Sequence, residues 1–246
     1  MTFCNDFVIN DDSLCASCLA NKKNKMKLFQ LFVSFLPWAI KRGLLCHIWG
    51  YQIHPTAYIG LSYVFPKHLV MEAGSRIGHL NVCVHLDSIK MGVNATIGRK
   101  NWITGFPTGS KSAHFKHDPS RVSELVIGRE SAITKNHHID CTNRIEIGEY
   151  TTVAGYSSQL LTHSIDIYKG RQDSHQITIG DYCFVSTGVI ILGGSSLPNH
   201  SVLAAGAVLN KKLEQTYAVY GGVPAKFIKS VPVDAKYMCR KVGFVW

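Results

Sequence analysis

Acidic residues are few in this 246-residue chain: 16 Asp and Glu stand against 26 Lys and Arg, a formal charge of +10. Such an excess would suit a nucleic acid. The basic residues, however, form no helical stripe and no recognisable nucleic-acid motif, so no nucleic-acid partner is expected. Much of the charge is local. Lys22, Lys23, Lys25, Lys27, Lys41 and Arg42 flank one apolar stretch, and a second group lies between Lys211 and Lys241. Small polyanions or an anionic lipid surface fit these clusters better. Also missing is an uninterrupted apolar run of the ~20 residues that a spanning helix needs. The longest stretch, Leu28 to Ile40, is broken by Pro37 and followed by Leu44 to Trp49. Residues 26–50 therefore read as a peripheral membrane contact or as a helical cap on the domain that follows.

No secretory signal precedes the eight cysteines. A reduced, cytoplasmic protein with buried thiols is expected, membrane-associated only through residues 26–50. Cys15 and Cys18 form a single C-x-x-C without a second pair, a weak signal for zinc. Residues 1–25 are polar and aperiodic and read as a disordered leader. Met26 would itself serve as a protein start, which makes that leader an expected upstream extension.

After residue 50 an internal period dominates. Aliphatic residues return every six positions at Ile53, Ile59, Phe65, Met71, Ile77, Cys83 and Ile89, then at Ile97 and Ile103. The series resumes at Ile127, Ile133 and Ile139, at Ile147, Val153 and Gln159, and at Val185, Ile191, Leu197, Leu203 and Leu209. Gaps of eight between Ile89 and Ile97 and between Ile139 and Ile147 imply two-residue insertions at corners. A period of six matches neither a helix, at 3.6, nor an alternating strand, at two. It suits a three-sided prism in which each short strand is a face, three strands make a coil, and one aliphatic side chain per face fills the axis.

Three regions follow: 1–50, the leader and helical segment; 51–212, the solenoid; and 213–246, a cap or tail that closes the far end. Two stretches leave the repeat, near 105–124 and 166–176, and loops on a rigid scaffold are where function concentrates.

The repeat end Leu203–Leu209 with Asn210, Lys211 and Lys212, followed by Gly222-Val-Pro-Ala-Lys226, resembles the terminus of hexapeptide-repeat acyltransferases, in particular sugar O-acetyltransferases of capsule and exopolysaccharide synthesis. The resemblance spans Ile53 to Ile228 and implies a left-handed parallel β-helix that works as a homotrimer. It also implies acetyl-CoA as acyl donor, a sugar or glycan hydroxyl or amino group as acceptor, and no metal. In that chemistry one imidazole takes the acceptor's proton as it attacks the thioester, while backbone N–H groups hold the oxyanion.

His163 is the first choice for the base. It occupies a slot that ordinarily holds a small residue, just before the chain leaves the prism, and its segment resembles the histidine segment of the acetyltransferases. Asp166 follows as a carboxylate to orient it. Asn143, if the insertion after Ile139 sits at a corner, lies one coil before His163 and could orient the ring or the acceptor. His137 is the rival base, or else a turn residue. The resemblance places Gly188, Ala205, Lys211, Lys212 and Lys226 along coenzyme A, although Lys211 and Lys212 read equally as solvated charges. Two other functions stay open. One is a β-helix zinc enzyme of carbonic-anhydrase type, drawing three ligands from His79, His85, His137, His138 and His163. The other is a non-catalytic solenoid.

Overall fold

The structure, a computed structural model, describes residues 16–110 and 112–245, with side chains from residue 25 onward. Cys15 of the C-x-x-C lies outside the described residues. The chain forms a left-handed parallel β-helix with three faces. Face one carries seven strands from Gln52–Ile53 to Ser196–Leu197. Face two begins at Tyr58–Ile59 and face three, also of seven strands, at Tyr63–Phe65.

Parallel pairing stacks one side chain per coil in three columns. On face one these are Ile53, Met71, Met91, Ile127, Ile147, Ile179 and Leu197. Face two aligns Ile59, Ile77, Ile97, Ile133, Val153, Val185, Leu203 and Tyr220. Face three aligns Val64, Cys83, Ile103, Ile139, Leu160, Ile191 and Leu209. None is more than 5% exposed. Each such side chain contributes about 1.5–3 kcal/mol through burial, so the axis carries the domain's stability.

Pairing corrects the repeat at three places. Val64, not Phe65, enters the axis on face three. Leu160, not Gln159, pairs with Ile139, and Gln159 is exposed. Ile89 is buried but aligns with Leu69 and Leu125, two residues short of the Met91 column, so the extra residues sit between Cys83 and Met91.

With the register settled, the six-residue spacing holds at every corner between faces one and two, and within one residue between faces two and three. Every longer insertion falls on the edge between faces three and one. The two large ones are the excursion 105–123 and an antiparallel hairpin, His163–Asp166 with Arg171–Ser174.

Two helices precede the prism, α1 (Ala16–Phe35) and α2 (Trp38–Trp49). Helix therefore begins ten residues ahead of Met26, and residues 16–25 are not a disordered leader. Lys41 on α2 is only 2% exposed, and its Nζ donates to the carbonyls of Gly60 (2.8 Å), Ser34 (3.3 Å) and Ser62 (3.4 Å). Burial lowers its pKa to about 8. Arg42 donates to the Ile53 carbonyl at 2.8 Å. These two basic residues thus close the open first coil.

At the other end Leu213, Ala218, Tyr220 and Ala225 pack over the last coil, whose Leu203 and Leu209 are fully buried. Ala218–Gly221 adds a strand to face two, Lys226–Ser230 pairs back on it, and the chain then returns along the edge between faces one and two. There Tyr237 donates to the Cys183 carbonyl (2.9 Å), Arg240 to the Tyr150 carbonyl, and the Gly243 amide to Glu130 Oε2 (2.7 Å). Arg240 lies over the Tyr237 and Tyr182 rings, the latter one of four stacked rings, Tyr150, Tyr182, His200 and Tyr217.

The register correction has a direct test. Leu160→Ala removes an axial side chain and is expected to cost about 2–5 kcal/mol in denaturant unfolding. Gln159→Ala should change stability by less than about 0.5 kcal/mol; comparable losses for both would contradict the register.

Candidate active site

His163 stands at the mouth of the insertion edge, where the fifth coil leaves face three and opens into the hairpin. Its Nδ1 is 2.6 Å from Asp140 Oδ2, and its backbone N–H donates to the same oxygen at 3.2 Å. Asp140 ends the face-three strand of the coil before, and its side chain is 8% exposed against 44% for the imidazole. The carboxylate is well furnished with donors. The Thr142 hydroxyl (2.7 Å) and amide (3.2 Å) reach Oδ1, and the Thr162 hydroxyl reaches Oδ2 at 3.3 Å.

Burial opposes the charge on Asp140, but hydrogen bonds from His163 and Thr142 outweigh it and hold the carboxyl below its ordinary pKa. The same bond to Asp140 raises the pKa of His163 against partial burial. An ionised carboxylate on Nδ1 selects the tautomer with its proton there, leaving Nε2 as the basic atom of the ring.

Gly193 brings the next coil up beneath this corner. A Cβ there would lie 2.6 Å from the Thr162 carbonyl oxygen and 3.1 Å from that of His175, so a side chain would displace the hairpin base.

The excursion 105–123 packs against the dyad from the other side. Asp87, buried, accepts from the Thr108 hydroxyl (2.8 Å) and amide, and from the Ser123 amide (3.2 Å), pinning both ends of the loop. Arg121, 6% exposed, donates to the carbonyls of Phe106 (2.6 Å) and Thr142, and lies 4.6 Å from the Phe115 ring centre. Phe115 in turn meets the His163 ring edge-on at 6.3 Å. His117 Nε2 lies 3.8 Å from Asp173, linking the loop to the hairpin. Between them is a cleft of about 290 Å³, whose walls include His114, Phe115, His117, Ile165, Arg171 and Gln172.

Other expected residues fall elsewhere. Asp166 is at the far end of the hairpin strand, where it accepts from the Tyr168 and Lys169 amides (3.0 and 3.1 Å) and pairs with Lys169; it does not orient His163. The Asn143 amide donates to the Ser174 carbonyl and hydroxyl, both at 3.2 Å, and fastens the hairpin base instead of the ring.

His137 lies on another edge, between faces two and three, in a buried ladder. Asn81 accepts from the Asn101 amide (3.0 Å), Asn101 from the His137 backbone (2.9 Å), and His137 Nδ1 from the Ser158 backbone (3.2 Å). Its Nε2 meets the Thr134 hydroxyl at 3.1 Å, and burial lowers its pKa to about 4. It is a neutral corner residue joining coils.

Lys211 and Lys212 continue the edge of His163 two coils further on, both exposed. Gly188 and Ala205 sit on the edge between faces two and three, and Lys226 on the final antiparallel strand. One copy of the chain therefore does not gather these five residues. Among the described residues no three His, Cys, Asp or Glu form a group able to hold a metal ion.

The coupling of the dyad is measurable. Asp140→Asn should lower the His163 pKa in an NMR titration of the ring. In the wild type the folded pKa is above the unfolded value near 6.5, so the charge pairing stabilises fully below that pH and fades as pH rises through the folded pKa. The stability gap between wild type and Asp140→Asn should therefore narrow from about pH 6 upward. A gap that is constant or widens would exclude the pairing.

No family model matches the chain. An uncharacterized protein of Dictyostelium discoideum is 27% identical over 167 residues, covering 59% of this chain and 67% of the relative. Among solved structures, a hexapeptide-repeat-containing acetyltransferase of Vibrio cholerae, complexed with acetyl coenzyme A, has a TM-score of 0.45 at 19% identity, over 90% of this chain and 92% of that one. The polysialic-acid-specific acetyltransferase NeuO has a TM-score of 0.43 at 18% identity, over 73% and 82%. The hexad-repeat prism rests on this chain's own strand pairing and buried axial residues.

Proposed function

We propose that the chain transfers an acetyl group from acetyl-CoA to a hydroxyl of a sugar or glycan precursor, with His163 as general base. The observation that carries this reading is the His163–Asp140 pair, half-open to solvent on the one edge where the repeat is interrupted. Support also comes from the resemblance of the repeat end to sugar O-acetyltransferases, and from the acetyltransferases among the solved structures that the chain is similar to.

The acceptor hydroxyl enters the cleft between the loop and the hairpin and gives its proton to His163 Nε2 as its oxygen attacks the thioester carbonyl. Asp140 stabilises the resulting imidazolium without taking the proton. Collapse of the tetrahedral intermediate breaks the carbon–sulfur bond. The imidazolium then protonates the departing thiolate, which restores the base. No covalent intermediate on the protein is needed.

Coenzyme A lies along the prism in a homotrimer, where the edge that carries His163, Lys211 and Lys212 on one copy faces the edge that carries Gly188 and Ala205 on the next. Lys226 meets its phosphates. An amino group would serve as acceptor by the same chemistry.

His163→Ala is expected to lower kcat for acetyl transfer by about 10²–10⁴-fold, with KM for acetyl-CoA nearly unchanged. The assay is release of free coenzyme A over a panel of sugar acceptors. Turnover equal to wild type would remove His163 from the reaction.

A further inference from the structure

Helix α1 is apolar on two opposite sides, and the prism covers only one of them. Its inner side is built in: Val33 is fully buried, Phe29 stacks on Trp49 at 5.8 Å, and Gln30 accepts from the Tyr63 hydroxyl at 2.7 Å. The outer side holds Leu28, Leu31, Phe32 and Phe35, spaced i, i+3, i+4 and i+7, which a helix places in one stripe. Their exposures are 71%, 48%, 61% and 67%. Ile40, 55% exposed, follows at the start of α2.

We infer that this outer stripe docks on an anionic membrane surface, with α1 lying in the plane of the interface. Charge identifies the occupant. The helix contains Lys22, Lys23, Lys25 and Lys27 and no Asp or Glu. Lys25 and Lys27, both exposed, lie on either side of the stripe by helical geometry. Apolar residues that enter the acyl boundary between lysines that meet lipid headgroups are the pattern of an interfacial helix.

A second copy of the chain suits the face poorly. A symmetric contact would bring two lysine-bearing, acid-free helices together. No helix among the described residues is long and apolar enough to cross a membrane, so the contact is peripheral. Lys41 and Arg42 take no part in it, since they bind backbone carbonyls at the prism end.

The test is co-sedimentation of the full chain with phosphatidylcholine vesicles, with and without phosphatidylserine. Binding is expected only with phosphatidylserine and should weaken as salt rises. The double variant Phe32→Glu, Phe35→Glu should lower it about tenfold or more, and so should Lys25→Glu with Lys27→Glu. Because all four side chains are exposed, unchanged thermal melts and unchanged mass by light scattering are expected for both variants. Three results would overturn the inference: no binding to phosphatidylserine vesicles, full binding by the phenylalanine variant, or a fall in its oligomeric mass, which would assign the stripe to a second copy.

Discussion

Everything in this molecule depends on aliphatic side chains meeting along one axis at fixed spacing. Successive coils must keep their strands hydrogen-bonded and their axial residues in line, so a corner that gains or loses residues must return the chain to the same phase. Two of the three edges meet this demand by holding to six residues, with at most one residue of slack. The third does not need to. Between faces three and one the chain leaves and re-enters the prism repeatedly, and both large excursions, 105–123 and the His163–Ser174 hairpin, are on that line. The scaffold thus confines variability to a single edge, and the ionisable pair lies on it.

The pair shows how a repeat creates chemistry. Asp140 and His163 are 23 residues apart, yet they are neighbours because coils stack at about 4.8 Å. The backbone that positions them is held by the axial columns beneath, so neither side chain has to organise its own support. Hydrogen bonds from His163 and Thr142 keep Asp140 ionised in a buried site, and Asp140 in turn fixes the tautomer of the ring. Arg121 and Asp87 perform the same service for the loop. Both are buried: Asp87 accepts from Thr108 and Ser123 at the two ends of the excursion, and Arg121 donates to the carbonyls of Phe106 and Thr142, which holds Phe115 beside the imidazole.

The ends of the solenoid pose a different problem, since a prism cut across leaves strand carbonyls and axial residues bare. At the first coil, Lys41 inserts a buried ammonium among three carbonyls, and the apolar sides of the helices cover the axis. This explains why a sequence stretch that reads as basic and membrane-like divides in two. The charges of α2 turn inward, whereas Lys25 and Lys27 of α1 remain outside beside an apolar stripe that no other described residue covers.

The hexad period alone was sufficient for the fold, because a side chain returning at six can be buried on every face only in a three-sided coil. The same pattern also pointed to His163, as a large polar residue at a position that normally demands a small one. It could not choose between adjacent apolar residues such as Val64 and Phe65, nor show that Leu160 and not Gln159 carries the phase, because a one-residue slip is decided by pairing across coils. For the same reason Asp140 was invisible: nothing local marks it. Asp166, nearer in sequence, is carried away by an extended hairpin strand, and Asn143 is spent on Ser174. Which carboxylate meets the ring is set by stacking distance, a property of the folded prism and not of the order of residues along the chain.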